Sequence, residues 1–278
     1  MPEYLENPVD WTDPGLVSVV DDLPLWSAPF GLMLLKHVRM EPNMRVLDVG
    51  FGSGFPLLEL SQRLGASAAV YGIDPWKEAV ERAKLKIKIF NIKNVHPVVG
   101  DASAMEFEDN TFDLIVSNTG INNFENPGKV LAECFRVGKP GACIALTTNP
   151  KGHMEEFYGV FKETLQELDM NHLLKDLETQ IDHRLTAETI CNLLIEAGFM
   201  LNASLHDSFT MRFLNGSAFF NHYLIRYAFL DGWKSVIPSG EWDKVFTRLE
   251  KNLNARAEEQ QELCMTIPIA YVEGEKPG

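Results

Sequence analysis

The sequence predicts a doubly wound, mostly parallel α/β sheet with extra helices added late in the chain. Three observations carry that reading. Between Met44 and Thr148 short apolar runs alternate with amphipathic stretches, the form taken by strands joined through crossover helices. Three glycines, Gly50, Gly52 and Gly54, fall within five positions where a strand should pass into a helix. Two carboxylates, Asp74 and Asp101, follow the next two strands. In an open parallel sheet all these strand ends border one crevice.

The elements follow in order. "MRVLDVG" reads as a first buried strand and "PLLELSQRLG" as the helix after it, with Pro56 in the first turn and Gly65 at the exit. "AAVYGID" is a second strand, followed by the helix "PWKEAVERAKLKIKIF", whose lysine run reads as a solvated face. "VHPVVG" and "FDLIVSN" are the third and fourth strands, "PGKVLAECFRVG" a helix and "ACIALTT" a fifth strand. After Asn149 the rhythm changes to polar, mostly helical sequence. "LTAETICNLLIEAGF" is a helix capped by Thr186 and stopped at Gly198, "LNASLHDSFTM" a strand, and "ELCMTIPIAYVEG" the last strand. The expected organisation is one domain over residues 1–278, with an N-terminal lid segment (1–40) and helical cap insertions at 151–185 and 211–261.

Composition narrows the function classes. The 278 residues carry a net charge of −14, with 45% apolar and 23% charged residues, so the chain is an ordinary globular one and acidic where nucleic-acid surfaces are basic. No apolar run approaches the ~20 residues of a spanning helix, and the acidic, proline-containing "MPEYLENPVDWTDPG" is unlike a signal peptide. Cys134, Cys143, Cys191 and Cys264 lack metal-ligand spacing and read as reduced thiols. The expectation is a cytoplasmic protein with no membrane or nucleic-acid partner and no metal.

A strand, a glycine turn and a helix N-terminus together suit the polar part of a nucleotide-like ligand. Asp74, 20 residues after Gly54, is placed to accept both hydroxyls of a ribose. The dinucleotide fingerprint G-x-G-x-x-G fails, because its third glycine would fall at Phe55. The spacing is instead D-x-G-x-G-x-G, with Asp48 inside the strand. A carboxylate there would repel a pyrophosphate and suits a cation. S-adenosylmethionine carries a sulfonium and an ammonium and no phosphate.

"VLDVGFGSG", "YGIDPW", "VVGDASAMEFEDNTFDLIVSN" and "GKVLAECFRVGKPGACIAL" together resemble the successive motifs of class I S-adenosylmethionine-dependent methyltransferases, most closely the small-molecule group, over about residues 40–150. The resemblance implies a Rossmann-like sheet of seven strands, the last antiparallel and inserted between the fifth and sixth. It also implies roles. Gly50, Gly52 and Gly54 would pass under the methionine portion, and Asp48 would face its ammonium through water. Asp74 would hold the ribose, with Pro75 and Trp76 beside the adenine. Asp101 would accept from the adenine amino group, the Ala102 backbone would meet the ring, and Asn118 would border the methyl group. Trp76 fits equally well as a packing residue. The product would be S-adenosylhomocysteine.

Methyl transfer is an in-line displacement, so holding the acceptor aligned and dry can supply about 7–11 kcal/mol without a dedicated base. Where the acceptor must lose a proton, His153, His183 and His222 are the candidates. His153 leads because the loop after the fifth strand should open onto the active edge. "SNTGIN" differs from the N-P-P-Y of DNA adenine methylation, and scattered cysteines do not suit arsenic. Phe219, Phe220, Tyr223, Leu224 and Tyr227 recur at helical spacing. The reading is an apolar face that either completes a core or, with Phe220 and Tyr223, roofs an acceptor pocket closed on its other side by Trp26 and Phe30. The leading function is methylation of a small molecule. The alternatives are methylation of a protein or RNA side group, or non-catalytic cofactor binding.

Overall fold

Val46, Leu47, Asp48 and Val49 are essentially without solvent exposure, as a strand covered on both faces must be. They form β1 (Arg45–Val49), which pairs in parallel with β2 (Ala69–Asp74) on one side and β4 (Phe112–Asn118) on the other. The computed structural model describes residues 2–6, 10, 12–21 and 24–278. Residues 1, 7–9, 11, 22 and 23 of the expected lid segment lie outside the described residues.

The remaining strands are β3 (Val95–Val99), β5 (Gly138–Thr148), β6 (Met200–Phe213) and β7 (Leu263–Glu275). The sheet order is β3-β2-β1-β4-β5-β7-β6. β7 runs antiparallel to β5, with Thr148 opposite Ala270 and Cys143 opposite Glu275. The last strand thus lies between the fifth and sixth, as the resemblance implies. The helices are α1 (Pro14–Asp21), α2 (Pro24–His37), α3 (Leu57–Leu64), α4 (Lys77–Ile89), α5 (Pro127–Val137), α6 (Glu155–Glu167), α7 (Leu174–Asp182), α8 (Ala187–Glu196), α9 (Gly216–Asn221), α10 (Tyr223–Ala228), α11 (Leu230–Val236) and α12 (Trp242–Gln260).

Local chemistry sets the helix ends. Asn126 caps α5 by accepting from Lys129 N–H at 3.0 Å, with Pro127 at the first helical position. Thr186 caps α8 by accepting from Thr189 N–H at 3.0 Å, and Gly198 follows it at φ +105°.

Two compact units result. The sheet unit holds Thr12–Asn149, Leu185–Asp207 and Ile269–Gly278, and the helical unit holds Met1–Trp11, Pro150–Arg184 and Ser208–Pro268. In the sheet unit alternation along the strands feeds two cores. Val46, Val70, Leu114, Val116 and Ala145 face one layer, while Leu47, Val49, Ile73, Ile115 and Ile144 face the other. The helical unit is built on aromatic packing. Phe157 lies 4.1 Å from Trp233 between ring centres, and Tyr4 stacks on Phe220 at 4.9 Å.

Gly72, opposite Asp48 in the β1–β2 register, is required for packing. A Cβ there would lie 2.5 Å from the Phe51 ring and 3.0 Å from Leu57. Phe51 is only 1% exposed and has no room to swing aside. Gly72→Ala is therefore expected to destabilise the protein by about 1–3 kcal/mol. Urea unfolding measures it, and wild-type stability would contradict the packing.

Candidate functional site

The turn after β1 is where the three glycines act. Gly50, Gly52 and Gly54 have φ of +78°, +54° and +118°, angles that residues with a Cβ adopt only with strain. They let the chain fold back onto its neighbour. Gly50 N–H donates to the Ile73 carbonyl at the end of β2 (2.9 Å), and Gly54 N–H closes the turn on Phe51 (3.0 Å). Lys86 of α4 donates to the Ser53 carbonyl at 2.9 Å. One lysine of the run read as a solvated face thus braces the glycine turn.

Two buried carboxylates flank this turn. Asp74 accepts from Gly52 N–H and Trp76 N–H, both at 2.8 Å, one on each oxygen. Burial raises its pKa, and these two N–H groups oppose the rise. Asp48 has no exposed surface, and both its oxygens lack a partner within hydrogen-bond geometry. Burial first, and then the charge of Asp74, push its carboxyl well above the ordinary range. The Leu57 N–H at the start of α3 offsets this only in part, without meeting that geometry.

The other expected cofactor residues stand along the same edge of the sheet. Pro75 is exposed and Trp76 half-buried at the start of α4. Asp101 is exposed, and both its oxygens are engaged by Ser103, from N–H and from the hydroxyl at 2.8 Å each. These bonds hold its carboxyl below the usual range. Ala102 is buried in the second core. Asn118 is a latch: its Nδ2 donates to the Ser27 carbonyl of α2 (3.2 Å), and its Oδ1 accepts from Thr147 Oγ1 of β5 (2.8 Å). This fixes α2 at the carboxyl ends of β4 and β5. There Trp26 is half-buried and packs 5.5 Å from the fully buried Phe30.

A second polar cluster at this edge escaped the sequence reading. Asn122, in the turn after β4, donates to Thr148 Oγ1 and to the carbonyl and side-chain oxygens of Asn149. Asn122 Oδ1 and Asn149 Nδ2 remain buried without partners. Asn122 was visible in "SNTGINN", but nothing in its spacing joins it to Asn149, which lies 27 residues on.

The helical unit corrects one expectation. The aromatic run is not one helix with a common apolar face but three short ones, α9, α10 and α11. His222 leaves helical angles (ψ 133°) and caps α10, accepting from Leu224 N–H at 3.3 Å, which resets the register. Phe219 and Phe220 are fully buried in the aromatic core, whereas Tyr223 is 63% exposed. Phe220 is thus a core residue of its unit, and Tyr223 does not share its face. His153 is buried between Tyr158 and Phe229, at 5.8 and 5.6 Å between ring centres. Burial and the nearby Arg184 charge lower its pKa to about 3. At neutral pH it is an uncharged imidazole and a weaker base than an ordinary histidine. His183 follows α7 and is exposed.

The residues present fit S-adenosylmethionine. A fully buried, partnerless carboxylate beside a glycine turn suits an ammonium group, and Asp74 lies at the end of the adjacent strand, where it can reach a ribose. The comparisons agree. Residues 40–202 match the methyltransferase domain family, and the chain belongs to that family, in its class I S-adenosylmethionine-dependent form. It is 30% identical over 132 residues to a demethylmenaquinone methyltransferase of a Geobacillus species (46% of this chain, 56% of that one). It is 38% identical over 142 residues to an arsenite methyltransferase of Aquipseudomonas alcaligenes (43% of this chain, 40% of that one). The chain thus spans about half the length of these curated relatives. Its fold aligns with a SAM-dependent methyltransferase from Aquifex aeolicus at TM-score 0.55 and 25% identity, covering 69% of this chain and 92% of that one.

The raised pKa of Asp48 has a consequence for stability. In the unfolded chain an aspartate loses its proton near pH 4, but the buried carboxyl holds it to higher pH. Over that window the folded state binds more protons, so stability falls as pH rises. Asp48→Asn removes this loss and is expected to be more stable than wild type by about 1–3 kcal/mol near neutral pH, with the advantage shrinking toward roughly pH 4. Urea titrations across pH measure the difference, and a pH-independent or negative one contradicts the assignment.

Proposed function

We propose that this protein transfers the methyl group of S-adenosylmethionine to a small-molecule acceptor. The observation that carries the reading is the pair of buried carboxylates around the glycine turn, with Asp48 unpartnered and Asp74 bonded to the turn itself. Asp48 holds the ammonium of the bound cofactor and Asp74 its ribose. Pro75 and Trp76 flank the adenine, while Asp101 and Ala102 meet its edge. When bound, the cofactor supplies an electrophilic methyl group. The chain positions and dries the reacting groups. Asn118 ties α2 to β5, so that Trp26 and Phe30 exclude water from the edge where the strands end. Asn122 Oδ1 and Asn149 Nδ2 offer one acceptor and one donor to a polar ligand.

For the acceptor, the likeness to demethylmenaquinone methyltransferases supports a quinol-type ring, and the thiols of this chain speak against arsenic. Among the described residues no group of three or more His, Cys, Asp or Glu side chains is placed to hold a metal-like centre. Cys134 and Cys143 are buried, with thiols pushed up to about 12 by burial and, for both, by neighbouring carboxylates, so neither supplies a thiolate at neutral pH.

Purified protein is expected to release S-adenosylhomocysteine from S-adenosylmethionine when supplied with hydroquinones or naphthoquinols. Asp74→Ala should weaken cofactor binding by about 1–3 kcal/mol in calorimetry, because a charged acceptor is lost. Wild-type cofactor affinity in a folded Asp74→Ala variant would refute the ribose assignment.

A further inference from the structure

We propose that the helical unit contains a recognition site for a small planar organic oxyanion, formed by His153 Nε2, the Tyr158 hydroxyl and the Arg184 guanidinium. Each group is left with hydrogen-bonding capacity that the protein does not use.

His153 is 4% exposed, yet its Nε2 is buried without a hydrogen-bond partner. It is held in place by the turn before α6. Met154 adopts the left-handed conformation (φ +53°), and its N–H donates to the Thr266 carbonyl at 2.8 Å. Tyr158, one turn into α6, accepts from Trp233 Nε1 at 3.2 Å. That bond occupies an oxygen lone pair and leaves the hydroxyl proton for another acceptor, and none takes it among the described residues. Arg184 follows α7, with its guanidinium carbon 5.9 Å from the centre of the Phe229 ring. No carboxylate pairs with it among the described residues, and the nearby Asp182 is paired with Lys151.

The three groups feel one another. Burial and then the positive charge of Arg184 lower the pKa of His153; burial raises that of Tyr158, a rise that the Trp233 bond and Arg184 oppose; and burial lowers that of Arg184 itself. A cation that is partly desolvated and unpaired, beside an unsatisfied ring nitrogen and a free hydroxyl proton, is costly unless an anion completes it. The chemistry of the set selects the ligand. A guanidinium presents a planar fork of N–H groups that matches a carboxylate, and neutral imidazole donates from Nε2 once that tautomer is favoured by an acceptor. Phe229 and Trp233, stacked at 5.8 Å between ring centres and themselves buried, give the set an apolar surround in which a charge-assisted bond to a carboxylate is strengthened. Half-buried Arg184 gives the approach from solvent. The ligand class is a small carboxylate. The site stands on the helical unit alone and does not depend on methyl transfer.

Benzoate and its uncharged isostere benzamide are the probes, titrated calorimetrically into the full-length protein. The wild type is expected to bind benzoate at least tenfold more tightly than benzamide. Arg184→Gln should abolish that preference, Arg184→Lys should retain part of it, and affinity for S-adenosylhomocysteine should be unchanged in both. If Arg184→Gln fails to fold, Tyr158→Phe carries the test and should reduce the preference at least threefold. Equal binding of the two probes, no benzoate binding at millimolar concentration, or a preference that survives in a folded Arg184→Gln or Tyr158→Phe variant would overturn the proposal.

Discussion

The carboxyl edge of the sheet is organised around two carboxyl groups withdrawn from water on either side of one backbone turn. Asp74 is satisfied by that turn, through Gly52 N–H and Trp76 N–H, and so couples the end of β2 to the glycines after β1. Asp48 has no such partner. Burial and the neighbouring carboxylate both favour the protonated form of Asp48, and a cation brought beside it would favour the charged form instead. The glycines, the close contact at Gly72 and the brace from Lys86 all hold the turn in the one shape that keeps both carboxylates at the same place.

This constraint explains why the site tolerates so little side-chain bulk. Gly72 admits the Phe51 ring beneath the turn, and Phe51 in turn belongs to the core shared with α3 and α4. Packing and chemistry are therefore not separable here. The cost of burying Asp48 falls on folding stability, and a ligand that pairs with it returns part of that cost as binding energy. The Asn118 latch extends the same logic to α2, because a single amide bonds a helix carbonyl on one side and a strand hydroxyl on the other.

Much of this was legible in the sequence, for a local reason. A strand, a turn that needs positive φ and a helix start are contiguous in the chain, so Gly50, Gly52 and Gly54 mark the site without tertiary information. Asp48 and Asp74 follow from strand direction alone, and the antiparallel β7 followed from the family's motifs. What escaped was set by contacts between distant segments or by side chains competing with the backbone. The reach of Lys86 to Ser53 and the Asn122–Asn149 cluster join loops that are separate in sequence. The aromatic run failed as one helix because the His222 side chain caps a new one, and periodicity does not register such a break. Asp101 stands at its expected strand end, but Ser103, two residues on, occupies its oxygens. The partners of His153 were invisible because they come from α6, from the end of α7 and from the junction before α11.

Asp48, buried and without a partner beside the glycine turn, is the group that we propose pairs with a ligand's cationic amino group. The most direct measurement compares, by calorimetry, S-adenosylhomocysteine with 5′-methylthioadenosine, which lacks the amino-acid portion, in wild type and Asp48→Asn. The wild type is expected to favour S-adenosylhomocysteine by at least tenfold, and Asp48→Asn to lose most of this advantage while binding methylthioadenosine as before. An undiminished preference for S-adenosylhomocysteine in a folded Asp48→Asn variant would contradict it.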